Sequence, residues 1–66
     1  MRIIVNGQPF EVEENSTAAD LINLLNLPGK RLALEINLEI VPRSSFATHR
    51  LKAEDRVEII HAIGGG

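Results

Sequence analysis

Alternating apolar and polar positions open the chain and predict a β-hairpin. Residues 1–5 are mostly apolar and rich in β-branched side chains, and residues 10–13 alternate apolar with charged. Between them, Asn6-Gly7 is the dipeptide that best tolerates the positive φ angles of a tight turn. Pro9 lacks a backbone N–H, so we expect it at the start of the second strand or on a sheet edge.

The pattern then changes to helical spacing. Four apolar residues form one stripe at i, i+3, i+4 and i+7: Ala18, Leu21, Ile22 and Leu25. Thr17 precedes the stripe and Asp20 follows three residues later, which predicts an N-cap with a capping box. Leu24 and Leu27 widen the stripe. We expect the Pro-Gly pair at residues 28–29 to end the helix, because the residue before a proline avoids the helical region.

Three further strands are predicted in the second half of the chain, at residues 32–36, 39–41 and 56–63. Asn37 and Leu38 are predicted to turn the chain between the first two of these. Residues 43–52 have no sustained period, which indicates a crossover loop with one helical turn, anchored by Phe46.

The order of elements is hairpin, helix, strand, short strand, crossover and last strand. One helix packed across one face of a mixed sheet covers the apolar faces of these strands. The long connection between the first and last strands allows them to pair in parallel. The predicted fold is therefore α+β, of the β-grasp (ubiquitin-like) type, with four to five strands and one helix. Residues 1–63 are predicted to form this domain and residues 64–66 a flexible C-terminal glycine tail.

Composition narrows the class of function. The 66 residues suffice for one domain, and a hydrophobic fraction of 44% argues against disorder. The chain has no Cys, which excludes a thiolate nucleophile and a sulfur-based zinc site. A formal charge of −2 supplies no basic field for nucleic acid. No apolar run approaches the roughly 20 residues that span a bilayer, so we expect a cytoplasmic protein without nucleic-acid or membrane partners.

Isolated polar residues give weak signals of chemistry. His49 and His61 lack a convincing third ligand, so no metal site is predicted. Ser44 and Ser45 have neither a base partner nor the nucleophile-elbow context of a hydrolase. The glutamates among residues 11–14 are expected on a solvated strand face. The sequence therefore predicts no enzyme active site.

Three segments are distinctive when they occur together. They are Ile-Ile-Val-Asn-Gly at residues 3–7, Leu-Glu-Ile-Asn-Leu-Glu-Ile-Val-Pro-Arg at residues 34–43, and Ile-Gly-Gly-Gly at residues 63–66. With them the whole chain resembles the sulfur carrier proteins of thiamine biosynthesis (ThiS-type), within the ubiquitin-like superfamily. One departure is Leu38, where that family commonly has a small or polar turn residue.

The resemblance implies a mechanism for the C-terminus. In that family a separate adenylating (E1-like) enzyme uses ATP to convert the terminal carboxylate, here that of Gly66, into an acyl-adenylate. Sulfur from a donor such as a cysteine desulfurase relay replaces the AMP and gives a thiocarboxylate. Thiazole synthase then takes the sulfur. The resemblance thus implies a carrier that is not an enzyme and that holds no permanent cofactor.

Glycine suits a segment that must reach into two different partner active sites. Gly64 and Gly65 have no Cβ to clash with a narrow channel, so we expect them to be the access path for Gly66. Considered alone, a glycine terminus could equally be a frayed end without a role. The predicted β-grasp domain directly before it favours the carrier interpretation.

Partner contacts are predicted from the alternation of the strands. If Ile3 and Val5 face the helix, Ile4 faces away, and by the same parity Ile60 faces away on the neighbouring last strand. An apolar patch near the tail would result, and it would include two further residues, Ala62 and Ile63. Arg43 is an additional contact that the family motif suggests.

Three other functions remain open. Two belong to the same class: a carrier of the molybdopterin pathway and a ubiquitin-like modifier. The third is a free-standing β-grasp binding module. A binding module has no need of a free glycine terminus, so a change at Gly66 separates it from the carriers.

Overall fold

A computed structural model describes residues 1–27 and 32–61 of the chain. Within them lie β1 (Arg2–Val5), β2 (Gln8–Glu11), α1 (Ala18–Leu24), β3 (Leu32–Ile36), β4 (Glu39–Val41) and β5 (Arg56–His61), with a 3₁₀ turn at Arg43–Ser45. The strands form one sheet in the order β2-β1-β5-β3-β4. β1 and β5 pair in parallel, and the other neighbours are antiparallel. The predicted α+β architecture is confirmed.

The parallel pair at the centre of the sheet joins the two ends of the chain. The Ile4 N–H donates to the Asp55 carbonyl at 2.9 Å, and the Asn6 N–H donates to the Val57 carbonyl at 2.8 Å. β1 then turns away at Asn6, whose φ is 49°. The Asn6 side-chain Oδ1 accepts the Ile59 N–H at 2.8 Å, so this oxygen replaces a backbone carbonyl as the hydrogen-bond partner of β5.

The core lies between the sheet and α1. Its buried residues come from every strand except β2, from α1, and from the loops: Ile3, Val5, Val12, Ala18, Leu21, Ile22, Leu34, Ile36, Val41, Leu51 and Val57. Phe46 packs against them from the crossover loop, as predicted. Ile3 and Val57 are fully buried, which confirms the predicted parity of the two central strands.

The helix begins as predicted and ends earlier. Thr17 Oγ1 accepts the Asp20 N–H at 3.1 Å, and the Asp20 carboxylate accepts the Thr17 N–H at 3.0 Å, which completes the capping box. Asn26 has a φ of 56°, a left-handed conformation that Asn tolerates just past a helix end. The helix therefore stops before residues 28–29, which lie outside the described residues. Leu24 is 61% exposed, so the prediction that it widens the buried stripe was wrong.

The second strand begins earlier than the alternation indicated. The two-residue turn places Gln8 directly opposite Val5, so pairing starts there and ends at Glu11, whereas residues 10–13 were predicted. Pro9 lies opposite Ile4 on this edge strand, where its missing N–H removes no ladder bond. The other predicted strands are confirmed, β5 as far as His61. Residues 62–63 of the predicted last strand lie outside the described residues.

A buried carboxylate ties the β3–β4 turn to the start of β5. Asp55 is 7% exposed, and its carboxylate accepts the Lys52 N–H at 2.8 Å and the Asn37 side-chain amide at 3.0 Å. Asn37 Oδ1 accepts the Arg56 N–H at 3.0 Å. Asn37 itself turns the chain with a φ of 53°. Two sharp turns are thus held by one side-chain network.

We predict that Asp55→Ala lowers the free energy of unfolding by about 2 kcal/mol, because it leaves a backbone N–H and a side-chain amide without their charged acceptor. Urea unfolding followed by circular dichroism measures the change. Glu13→Ala is the matched control, since it removes the same charge from an exposed position. Equal, small losses in both variants would contradict the structural role of Asp55.

Candidate functional site

The two faces of the sheet differ in what lies against them. α1 packs on the face that carries Ile3, Leu34 and Val57. We call the opposite side the open face; it carries the alternate strand residues, because successive side chains along a strand point to opposite sides. From β2 to β4 its members are Pro9, Glu11, Arg2, Ile4, Arg56, Glu58, Ile60, Ala33, Glu35 and Ile40.

Ile4 and Ile60 both lie on the open face, but they do not lie side by side. Ile4 is level with Arg56, and Ile60 is level with Ala33 of β3. Four residues of strand separate the two isoleucines, or about 13 Å. The prediction of a single patch that contains both residues was therefore wrong. The face to which each isoleucine points was predicted correctly, but alternation along a strand does not show how far that strand is shifted along its neighbour.

The remaining predicted contact residues are placed only in part. Arg43 is exposed and opens the 3₁₀ turn after β4, where its carbonyl accepts the Phe46 N–H at 3.1 Å. Ala62 and Ile63 lie outside the described residues. So do the predicted access path and sulfur-bearing residue, at residues 64–66, and the predicted domain boundary before them. Their roles stay predictions.

Two exposed apolar residues near β4 were missed as contacts. Ile40 is 74% exposed on the open face, and Leu38 is 89% exposed in the turn before it. Leu38 adopts a φ of 71°, which is rare for a bulky residue. The parity of β4 could have identified Ile40, since Val41 beside it is buried. No sequence signal identifies the exposure of Leu38.

Leu38 also borders a pocket on the open face. The pocket has a volume of about 210 Å³ and is lined by Ile4, Gly7, Asn37, Leu38, Arg56 and Glu58. It lies where the β1–β2 turn and the β3–β4 turn approach β5. Its walls combine aliphatic side chains with one charge of each sign.

Two pairs of charged residues on and beside the open face differ in how their charges are balanced. Arg2 donates two hydrogen bonds to the Glu54 carboxylate, at 3.1 Å from Nε and 3.0 Å from Nη2. These bonds raise the pKa of Arg2 and lower the pKa of Glu54. Glu35 and Glu58, in contrast, stand directly opposite each other on β3 and β5. Neither forms an ion pair with another described residue.

Other kinds of site find no support in the described part of the chain. Across residues 1–27 and 32–61, no three His, Asp or Glu side chains gather as a metal site would need. No helix in those same ranges has the length and apolar character of a membrane span. The open face is thus the best-defined candidate surface for function.

Comparison with known proteins identifies the family. The ThiS family model matches residues 3–66. The chain belongs to the ThiS family. The sulfur carrier protein ThiS of Escherichia coli is 32% identical over 66 residues, which are the whole of both chains. The fold agrees as well: a crystal structure of the thiamine biosynthesis protein ThiS from Geobacter metallireducens matches the full length of both chains with a TM-score of 0.85 and 30% identity.

A longer protein contains a similar segment. A thiazole synthase of Paramagnetospirillum magneticum is 36% identical over the whole of this chain, and the chain spans 20% of that protein's length. Together the comparisons confirm the β-grasp fold and support a role as a sulfur carrier in thiamine biosynthesis, which is not the role of a catalyst.

Leu38→Gly is expected to raise the free energy of unfolding by about 0.5–1 kcal/mol. Relief of the left-handed conformation contributes about 1–2 kcal/mol, and the greater freedom of glycine in the unfolded chain offsets about 0.5–1 kcal/mol. Urea unfolding measures the effect. Gly7→Ala is the reverse control. Gly7 has a φ of 82° and no heavy atom lies within 4 Å of the added Cβ, so this variant should lower the free energy of unfolding through backbone strain alone. A loss of stability in Leu38→Gly would show that the turn is unstrained.

We predict that the Arg2–Glu54 pair stabilises the fold only above acidic pH. A carboxylate with a lowered pKa contributes stability that is complete above its ordinary value, 4.5, and is lost as the pH falls through the lowered value. The urea midpoints of wild type and Glu54→Gln should therefore differ near neutral pH and converge in acid. In an Arg2→Gln background the same substitution should show no such convergence. A difference that persists in acid would argue against the pair.

Proposed function

We propose that the chain carries sulfur as a thiocarboxylate on Gly66 and delivers it for the thiazole ring of thiamine. The observation that carries this proposal is the extent of the family match. It runs to residue 66 and so includes the three terminal glycines, and the E. coli sulfur carrier aligns over the full length of both chains.

The chemistry explains why a carrier needs so few groups of its own. A carboxylate is a poor electrophile, because its charge repels nucleophiles and oxide does not leave. Attack of the Gly66 carboxylate on the α-phosphorus of ATP releases pyrophosphate and gives a mixed anhydride. A persulfide of the sulfur donor then attacks the carbonyl carbon, AMP departs, and a C–S bond replaces the C–O bond to phosphate. A donor thiol next attacks the S–S bond, which releases the thiocarboxylate and leaves a disulfide on the donor. The carrier supplies one carboxylate, and its partners supply the catalysis.

The length of chain after β5 is sufficient for the terminal carboxylate to reach a partner's active site. The described part of β5 ends at His61, and the five residues that follow can span at most about 17 Å when fully extended. That reach is enough for Gly66 to enter a cleft while the folded body stays outside it. Gly64 and Gly65 would form the narrow access path, since they lack a Cβ.

Three partners follow from the proposal. An adenylating enzyme binds the ATP, a donor such as a cysteine desulfurase relay supplies the sulfur, and thiazole synthase accepts it; we place these steps in the cytoplasm. The P. magneticum thiazole synthase supports the last partner, because a segment similar to this whole chain lies within the same polypeptide as the rest of that protein. The open face, with Ile4 and Ile60, and Arg43 are proposed contact residues.

Intact mass spectrometry after incubation with ATP, the adenylating enzyme and a sulfur donor tests the proposal. Wild type should exchange one oxygen atom for sulfur. Deletion of Gly66, or addition of one Ala after it, displaces the reacting carbon by several ångströms and should slow the exchange by about 100-fold or more. Subsequent incubation with thiazole synthase or with molybdopterin synthase distinguishes delivery to thiazole from delivery to a pterin.

The unfolding transitions of both terminal variants serve as the control and should match wild type, because neither change alters a residue of the described core. Full sulfur exchange by the chain that lacks Gly66 would contradict the assignment of Gly66 as the modified residue. Absence of exchange in wild type would remove the carrier function itself.

A further inference from the structure

The exposed apolar side chains of the described residues are concentrated on one half of the open face. Four large apolar side chains are exposed in that part of the chain, and Leu38, Ile40 and Ile60 are three of them. They belong to β4, β5 and the β3–β4 turn. The small residue Ala33 of β3 is the register partner of Ile60, and β3 lies between β5 and β4 in the sheet. We call this the β3–β5 half of the open face.

Two carboxylates of like charge occupy the centre of this half. Glu35 and Glu58 are register partners on β3 and β5, so their Cβ atoms lie about 5 Å apart on the same face. Ile40 is the register partner of Glu35 on its other side, and Ile60 is the next residue of β5 on the open face after Glu58. The acidic pair is therefore flanked by apolar side chains.

No described cation neutralises this pair. Among the described residues, Arg56 lies on the open face two residues before Glu58 on β5, but it is not within ion-pair distance of either carboxylate. Arg2 lies further along the sheet and is bound to Glu54. Like charges directly opposite each other destabilise a sheet, so this arrangement is unfavourable in the isolated domain.

We propose that the β3–β5 half of the open face docks on thiazole synthase through a Lys or Arg side chain that inserts between Glu35 and Glu58. Apolar side chains of the same partner surface pack on Ile40 and Ile60. This inference rests on the proposed function, because it assigns a recognition surface to one of the partners named there. A cation at the centre turns the repulsion between the two carboxylates into attraction, and the apolar rim excludes water from the charges.

Charge complementarity favours a basic partner over a second copy of the chain, and the P. magneticum thiazole synthase, which contains a similar segment in its own polypeptide, favours thiazole synthase as that partner. A second copy of the chain that docked by the same face around a twofold axis would bring its own Glu35 and Glu58 against the first pair, and like charges brought together in an interface are strongly unfavourable. A basic, apolar-rimmed surface has no such conflict. The glycine segment adds little affinity, because ordering it has an entropic cost, so the folded body must supply the binding.

Titration of purified thiazole synthase with wild-type chain and with charge-reversal variants tests the proposal. Glu35→Lys and Glu58→Lys should each raise the dissociation constant by about 30-fold or more. Losses of this size are seen when one partner of a close interfacial charge pair is removed. Glu13→Lys is the matched control. It makes the same charge change beside α1, on the other side of the sheet, and should stay within about twofold of wild type.

A second measurement separates recognition from folding. Glu58→Gln should raise the urea midpoint of the isolated chain, because it relieves the repulsion from Glu35, and should at the same time weaken binding to thiazole synthase. A residue with a merely structural role would lose stability and binding together. Opposite signs in the two measurements therefore support the proposal.

Each other outcome overturns the inference in a distinguishable way. Unchanged affinity in both lysine variants, or an equal loss in Glu13→Lys, removes the docking surface while sulfur exchange on wild type keeps the carrier function intact. Loss of sulfur exchange in the lysine variants with normal affinity for thiazole synthase would assign the surface to the adenylating enzyme instead. A concentration-dependent dimer that the lysine variants abolish would assign it to a second copy. Failure of wild type both to exchange sulfur and to bind would overturn the proposed function as well.

Discussion

The parallel pairing of β1 with β5 is the constraint on which the rest of the structure depends. It joins strands that lie more than fifty residues apart in the chain, so everything between them must cross over and cover the sheet. The pairing is short, with Ile4 level with Arg56 and Val5 level with Val57. The Asn6 side chain extends it by one hydrogen bond to Ile59. β5 thereby continues past the end of β1 as far as His61.

Local chemistry made much of this fold predictable from the sequence. The capping box needed only Thr17 and Asp20 at the right spacing, and the Asn-Gly turn needed only its two residues. The parity of β1 and β5 followed from alternation. Each of these features depends on residues within a few positions of one another, where sequence separation and distance in space agree.

The features that were missed depend on contacts between distant segments. The separation of Ile4 from Ile60 follows from the hydrogen bond between the Ile4 N–H and the Asp55 carbonyl, which no local pattern encodes. The pairing of Glu35 with Glu58 follows in the same way from the register of β3 on β5. The terminal carboxylate, in contrast, was predicted from the sequence, because the chain resembles a family that uses this group. The docking surface could not be predicted in this way, because it depends on the register of the strands.

The distribution of unfavourable features over the two faces of the sheet bears on function. On the core side, every buried side-chain nitrogen and oxygen atom of the described residues has a hydrogen-bond partner. On the open face and its edge, the chain holds Leu38 in a left-handed conformation and places two carboxylates opposite each other. These features together cost about 1–3 kcal/mol, a substantial share of the stability of a small domain. A partner cation that neutralises the carboxylates would recover the repulsive part of that energy as affinity, whereas the backbone strain at Leu38 remains in the complex. The repulsion between two unneutralised carboxylates on this face is therefore a physical reason to assign the face to binding.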